Sequence, residues 1–363
     1  MRTKEGGGME FIHDTDSPRV IFSSTSLSQL ADEVRKIGGR KIALVCDESA
    51  RSVAASIASE LSTHIKQSID RVVMHVPDEF TAPIIAEARQ LEIDLVIAVG
   101  GGSATGLGKI LALECKIPLL AIPTTYAGSE MTPIWGRTKN NVKLTGTDLS
   151  VLPTTVLYQP SLTYTLPFSI SVNSGMNAIA HAVEALYAPH LSPLVELAAL
   201  EGISVMASGL RKLAKNNNDQ TAREELFYGS MLCGFTLGNA KMGIHHKICH
   251  TLGGMFNLPH APMHSAVLPY AVKYNEKAAA KQLAKVAQIL GTSTASQGLW
   301  NLSTEIGAEF ALKNLQFSEA EIESATEAIS SQVLVNPRPF EYEFVVKLLK
   351  AANNGTRPDD ESW

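Results

Sequence analysis

Residues 94–109 read Asp94-Leu95-Val96-Ile97-Ala98-Val99-Gly100-Gly101-Gly102-Ser103-Ala104-Thr105-Gly106-Leu107-Gly108-Lys109. An uninterrupted apolar run ends in three consecutive glycines and a serine, and a helical pattern from Ala104 to Glu114 follows at once. An apolar run of this length suits a strand buried on both faces, as in a parallel sheet covered by helices. Consecutive glycines let main-chain N–H groups close on a phosphate, and the helix N-terminus behind them adds a favourable dipole. The run is neither a GxGxxG fingerprint nor a Walker A loop, since Ser103 stands where Walker A needs its first glycine. A plain strand–helix turn would need fewer glycines, so Gly100, Gly101, Gly102 and Ser103 are read as a phosphate-binding turn.

The same alternation extends outward. Lys41–Cys46, Arg71–Val76 and Pro118–Pro123 are further β-rich runs, separated by helical patterns at Glu48–Leu61 and Ala82–Leu91. Strands alternating with helices predict a doubly wound parallel sheet. From Phe168 onward the β-branched runs disappear and Ala, Leu, Glu and Met dominate. Helices are expected at Asn177–Tyr187, Pro193–Leu213, Arg223–Leu237, Glu276–Leu290, Thr292–Lys313 and Glu319–Ile329. The proline-punctuated stretch from Pro153 to Pro167 reads as the hinge. This gives two domains, an α/β domain over 1–167 and an all-helical domain over 168–363. The end, NNGTRPDDESW, reads as a solvated tail.

The chain has 363 residues, 45% hydrophobic and 18% charged, which suits a globular protein with ample core. A net charge of -5 provides no global basic field for nucleic acid or an anionic membrane, so an anionic ligand needs a local cluster of cations. No apolar run reaches the roughly 20 residues of a membrane span, and MRTKEGGGME lacks the apolar core of a signal peptide. The four scattered cysteines read as free thiols in a reducing cytoplasm.

Two further features bear on chemistry. Asp47 ends the Lys41–Cys46 strand. It can hydrogen-bond the hydroxyls of an adenosine ribose and repel a 2′-phosphate, or it can cap the helix that follows. Thr124 and Thr125, in PTTYAGSE after the next strand, offer hydroxyls to the same crevice. Six of the ten histidines fall in two places: His181, and five between His245 and His264. His246 and His250 share one helix face, and His260 and His264 repeat the spacing of four. Such a grouping serves either acid–base work or metal ligation.

These stretches resemble the iron-containing alcohol dehydrogenase superfamily. GGGS after a strand, PTTYAGSE, GMNAIAHAVEA, HHKICHTLGG and NLPHAPMH occur in that family's order over most of the chain. The resemblance implies a dehydroquinate synthase-like fold, with a dinucleotide-binding N-terminal domain, a helical C-terminal domain and an active site in the cleft between them. It also implies a homodimer, a nicotinamide cofactor, and a cofactor-side role for Lys143. In metal-dependent members an aspartate and three histidines hold Fe²⁺ or Zn²⁺. The histidines match His181, His246 and His260, but the aspartate is Asn177 here, and an amide oxygen binds such metals far less well than a carboxylate.

His264 adds an imidazole, and Lys241 and Lys247 flank the cluster. Less negative charge with more basic groups is similar to the metal-free, maleylacetate-reducing branch of the superfamily. That branch reduces the enone C=C of a 4-oxo-hex-2-enedioate to 3-oxoadipate during aromatic-compound degradation. The resemblance implies NADH (or NADPH) as reductant, no metal, and a small dianionic substrate. His250 is then the expected proton donor, while His181, His246, His260 and His264 bind substrate and stabilise charge. The alternatives are a metal-dependent alcohol dehydrogenase acting on a small alcohol or aldehyde, and a non-enzymatic nucleotide sensor.

Overall fold

The computed structural model describes residues 11–73, 76–139, 142–332 and 335–360. The chain forms two compact units, Asp16–Leu166 and a helical one from Pro167 onward that also takes the described residues before Asp16. Those first residues are held there by a hydrogen bond between His13 and Ser192 and one from the Thr15 hydroxyl to Asn239.

In the α/β unit the order is β1 (Arg19–Phe22), α1 (Leu30–Ile37), β2 (Ile42–Cys46), α2 (Arg51–Glu60), β3 (Ile65–Ile69), α3 (Asp78–Gln90), β4 (Leu95–Gly100), α4 (Gly102–Cys115), β5 (Leu119–Pro123), β6 (Ile134–Lys139), β7 (Val142–Thr147) and β8 (Thr155–Tyr158). Six strands make one parallel sheet in the order β1-β8-β5-β4-β2-β3, and β6 and β7 form an antiparallel pair. The chain leaves β2 toward β3 on one side and β4 toward β5 on the other. The carboxyl ends of β2 and β4 therefore mark the topological switch point, where ligands of open α/β sheets bind. Asp47 and the glycine run sit at those two ends, with Cys46 paired to Val99 and Gly100 to Pro123.

Two sequence expectations are corrected here. The strand beside β2 is Ile65–Ile69, and Arg71–Val73 of the expected Arg71–Val76 run is irregular. β3 is an edge strand that buries only Gln67 and Ile69, so it lacks the continuous apolar signature of its neighbours. The second correction is β8, a fully buried strand between β1 and β5 inside the expected hinge. Pro153 and Pro160 lie outside its four residues, where proline costs no ladder hydrogen bond.

The helical unit comprises α5 (Phe168–Leu186), α6 (Pro193–Lys215), α7 (Gln220–Gly238), α8 (Ile244–Phe256), α9 (His260–Asn275), α10 (Ala280–Leu290), α11 (Ala295–Glu305), α12 (Ile322–Ser330) and α13 (Tyr342–Asn354). α5 begins nine residues before the expected Asn177. Its first turns are rich in Ser and Asn, poor helix formers, but the Ser171 and Ser174 hydroxyls bond back to the Pro167 and Ile170 carbonyls. The expected Thr292–Lys313 helix stops at Glu305, ahead of left-handed Gly307 (φ 66°). α9 runs on to Asn275, which delays the start of α10 to Ala280. α6 is long and apolar enough to cross a membrane, yet it buries Val195, Ala199, Ile203, Met206, Leu210 and Leu213 inside the unit. The expected solvated tail is packed over its first part. Asn353 is buried, the Gly355 and Thr356 carbonyls accept from Trp300 and Tyr270, and Lys273 bonds Asp359.

Candidate active site

The glycine turn is built for close approach. Gly100 has φ 142°, and a Cβ there would lie 2.2 Å from Asp47 Oδ2; at Gly101 a Cβ would lie 3.0 Å from Thr125 Cγ2. At Gly102 the nearest atom would be 3.6 Å away, so the first glycine is required by backbone and packing, the second is tight against Thr125, and the third leaves room above the backbone. α4 starts at Gly102, and its first helical bond runs from Thr105 N–H to the Gly101 carbonyl. The N–H groups of Gly102, Ser103 and Ala104 therefore lack helical acceptors, an arrangement that favours an anion at a helix start.

Asp47 does cap the chain. Its Oδ1 accepts from Ala50 N–H (3.0 Å) and the Ser49 hydroxyl (2.6 Å), and Oδ2 accepts from Gly101 N–H (2.8 Å). One carboxylate thus caps the turn before α2 and fixes the glycine turn. Thr124 N–H bonds the Gly100 carbonyl, and the buried Thr124 hydroxyl has no partner among the described residues. Gly100, Gly101, Gly102, Ser103, Asp47, Thr124 and Thr125 are all brought together. Lys143 lies on β7, paired with Thr138, and its side chain is outside the described ones.

In the helical unit, His181 comes from α5, His245, His246 and His250 from α8, and His260 and His264 from α9. Their rings form a contiguous set: His181–His246 5.1 Å, His246–His264 5.0 Å, His260–His264 4.2 Å, His245–His264 4.9 Å and His246–His250 6.0 Å between centroids. His264 and His245 are fully buried, His181 and His246 nearly so, and His250 and His260 are exposed. Lys241 is exposed and Lys247 half-buried on the same stretch.

Sequence reasoning left Glu184 unassigned, although it stands in GMNAIAHAVEAL. It is fully buried on α5, and it accepts from His246 Nδ1 (2.5 Å), from the His245 and His246 N–H groups at the start of α8, and from Tyr187. Burial by itself would raise its pKa. The His246 hydrogen bond and charge, with help from His245, hold it below the usual value instead. The contact joins two helices distant in sequence, so spacing along the chain could not announce it. His245 was likewise passed over. It bonds the His264 carbonyl, and burial takes its pKa down to about 4.

Burial, and then the neighbouring imidazoles, push His181 and His264 well below 6.5. These interior rings are neutral at pH 7. A buried cation beside other bases loses its hydration without gaining a counter-charge. Neutral imidazoles still donate hydrogen bonds. Among the described residues, both nitrogens of His264, His181 Nδ1 and the Asn177 amide oxygen are buried with no hydrogen-bond partner.

A divalent metal fits the residues at the family's ligand positions poorly. Asn177, His181, His246 and His260 bring no negative charge, and the Asn177 amide oxygen stands where a carboxylate would be needed to offset the cation. Among the described residues, the groupings compact enough to hold an ion are Glu184–His245–His246 and His245–Cys249–His264, both buried.

Residues 17–160 match the iron-containing alcohol dehydrogenase family, and residues 171–353 match the C-terminal part of the Fe-containing alcohol dehydrogenase family. A maleylacetate reductase of Pseudomonas sp. (strain P51) is 43% identical over 350 residues, 96% of this chain and 99% of that protein. The crystal structure of maleylacetate reductase from Rhizobium sp. strain MTP-10005 superposes with a TM-score of 0.91 at 39% identity, covering 97% of this chain and all (100%) of that one. That of an iron-containing alcohol dehydrogenase from Corynebacterium glutamicum ATCC 13032 gives 0.92 at 41% identity, covering 98% and 100%.

Proposed function

The chain belongs to the iron-containing alcohol dehydrogenase family, and from that premise we propose that it reduces maleylacetate to 3-oxoadipate with NADH and without a metal. The observation that carries this reading is the histidine set of α5, α8 and α9, in which Asn177 stands where the family's metal-binding carboxylate would be. Full-length relatives named for the same reaction support it.

The glycine turn, Ser103 and the start of α4 hold the cofactor's phosphates, with Thr124 and Thr125 beside them. The bound nicotinamide supplies a hydride, two electrons to the electron-poor alkene carbon. Negative charge then develops on the ketone oxygen as an enolate, and preorganised imidazole N–H groups stabilise it. His250, at the exposed end of the set, delivers the balancing proton to carbon. Lys247 and Lys241 bind the two carboxylates, a task the neutral His181 and His264 rings cannot share as cations. The enzyme is a cytoplasmic homodimer with no nucleic-acid or membrane partner, and its four free thiols suit that compartment.

A metal-dependent alcohol dehydrogenase is the second reading, favoured by the compact Glu184–His245–His246 grouping. One experiment separates the two: NADH oxidation with maleylacetate beside a panel of aldehydes and ketones, before and after exhaustive chelation. Maleylacetate-specific turnover that survives chelation is expected. Aldehyde reduction that is lost with chelator and restored by Zn²⁺ or Fe²⁺ would reverse the assignment. In Asn177→Asp, restored charge should raise Zn²⁺ affinity and inhibit the reductase.

A further inference from the structure

Lys109, which follows the glycine turn on α4, is among the most buried charged groups of the described residues. It sits in the second turn of α4, next to Gly108, where a Cβ would press to 2.9 Å of Ala98 and 3.0 Å of Leu119. The missing side chain lets α4 lie close on the sheet. The Lys109 ammonium meets the Ser129 carbonyl (2.7 Å), the Thr132 carbonyl (2.8 Å), the Thr132 hydroxyl (2.9 Å) and the Ile134 carbonyl (2.7 Å). Burial pushes its pKa down to about 7, opposed by the charge of Glu130. Every one of these neighbours accepts, since the Thr132 hydroxyl gives its own proton to Ser129. Only the ammonium, with three hydrogens, suits such a shell.

The segment so gripped joins β5 to β6. Its first residues touch the glycine turn, with Thr124 N–H on the Gly100 carbonyl and Thr125 packed over Gly101. Its far part is held by Lys109 and by Tyr158, whose hydroxyl donates to Glu130 (2.6 Å). α4 therefore fixes both the phosphate turn at its start and, through Lys109, the segment that carries Thr124 and Thr125.

We propose that Lys109 is a positioning residue for the nucleotide site, a buried ammonium clamp that holds the 124–134 segment in register with the phosphate-binding turn. The proposal rests on the nucleotide reading of that turn. It does not depend on which substrate is reduced.

The test uses the full-length protein and NADH as the probe. Lys109→Met should weaken NADH binding, measured by fluorescence titration, by roughly tenfold or more. The kcat at saturating NADH and the KM for the second substrate should change by less than about threefold, because the clamp touches neither. Thr132→Val removes one acceptor and should give a smaller loss of affinity in the same direction, which keeps the test alive if Lys109→Met does not fold. Hydrogen exchange at 129–134 should speed up in both variants while β2 and α2 are unchanged, whereas general destabilisation would speed all three. NADH affinity within twofold of native in Thr132→Val or in folded Lys109→Met, or unaltered exchange at 129–134, overturns the proposal. A native protein that fails to bind NADH would remove the nucleotide reading and leave the exchange arm to decide the clamp.

Discussion

At the glycine turn of the α/β unit, the polar atoms left without partners are chiefly main-chain N–H groups. Around the histidine set of the helical unit, among the described residues, they are side-chain nitrogens and an amide oxygen, on Asn177, His181, His245 and His264. Main-chain donors cannot titrate, and their placement needs only that bulk be kept away, which Gly100 and Gly101 do. Imidazoles titrate, rotate and need support, and Glu184 anchors His246 for that reason. The first kind of site suits constant affinity for a cofactor shared by many enzymes. The second suits proton transfer and choice of substrate. If this division holds, variants in one unit should alter affinity and variants in the other should alter turnover.

The largest expected effect tests that division directly. His250→Ala should lower kcat by about 10²–10⁴ while NADH affinity stays near native. A variant that keeps native kcat would move the donor role to His260, the other exposed ring of the set. Parallel loss of NADH binding would break the division itself.

Acid should also separate the units. His181, His245 and His264 have depressed pKa values in the fold, so between about 6.5 and their native values the unfolded chain binds more protons than the native one. Stability contributed by these rings is therefore complete above about 6.5 and is lost as pH falls below it, at up to about 1.4 kcal/mol per pH unit for each ring. Glu184 adds to the loss further down, because its depressed pKa contributes stability only while it stays ionised. Urea midpoints at pH 7 and pH 5, with hydrogen exchange to locate the opening, should show the helical unit loosening first. Equal loosening of both units would mean that these rings take up protons in the native state.

Legibility differed between the units for physical reasons. The glycine run was readable because close approach of backbone demands one residue type in consecutive positions. The histidine set was readable because helical spacing of four puts His246 with His250 and His260 with His264 on shared faces. Glu184 and Lys109 were not readable, since each acts across a tertiary contact: α5 to the start of α8, and α4 to the 129–134 segment. β3 and β8 failed for the opposite reason, as local pattern gave way to position in the sheet. An edge strand needs only alternate apolar residues, and prolines beyond the ends of a central strand do not interrupt it. Asp47 was ambiguous along the chain because one carboxylate caps a turn and braces the phosphate loop at once.

That double engagement sets the next effect. Asp47→Ala should cost about 1 kcal/mol for the lost cap, and it releases Gly101 N–H. Loss of the negative charge at the switch point should also narrow the preference for NADH over NADPH, expected to be roughly tenfold to hundredfold in the native protein. Ratios of kcat/KM for the two cofactors, with thermal melts, separate the contributions. Equal native use of both cofactors would leave Asp47 a purely architectural residue.

The smallest effect concerns the lysines, and it asks whether the helical unit also contains a pure affinity element. Lys247 is half-buried and its pKa is lowered by burial, whereas Lys241 is exposed. A charge partly shielded from water acts on an anion with a lower effective dielectric and less ionic screening than an exposed one. Lys247→Ala should therefore raise the KM for maleylacetate by roughly threefold to tenfold, and Lys241→Ala by less, with kcat nearly constant in both. A carboxylate is present in the ground state and the transition state alike, so holding it is uniform binding and cannot accelerate the chemical step. Raising the ionic strength should erase the Lys241 effect before that of Lys247. If instead Lys247→Ala lowers kcat at unchanged KM, this lysine stabilises the enolate, and the division between affinity and turnover would run through α8 itself, leaving His250 with a cationic partner on its own helix.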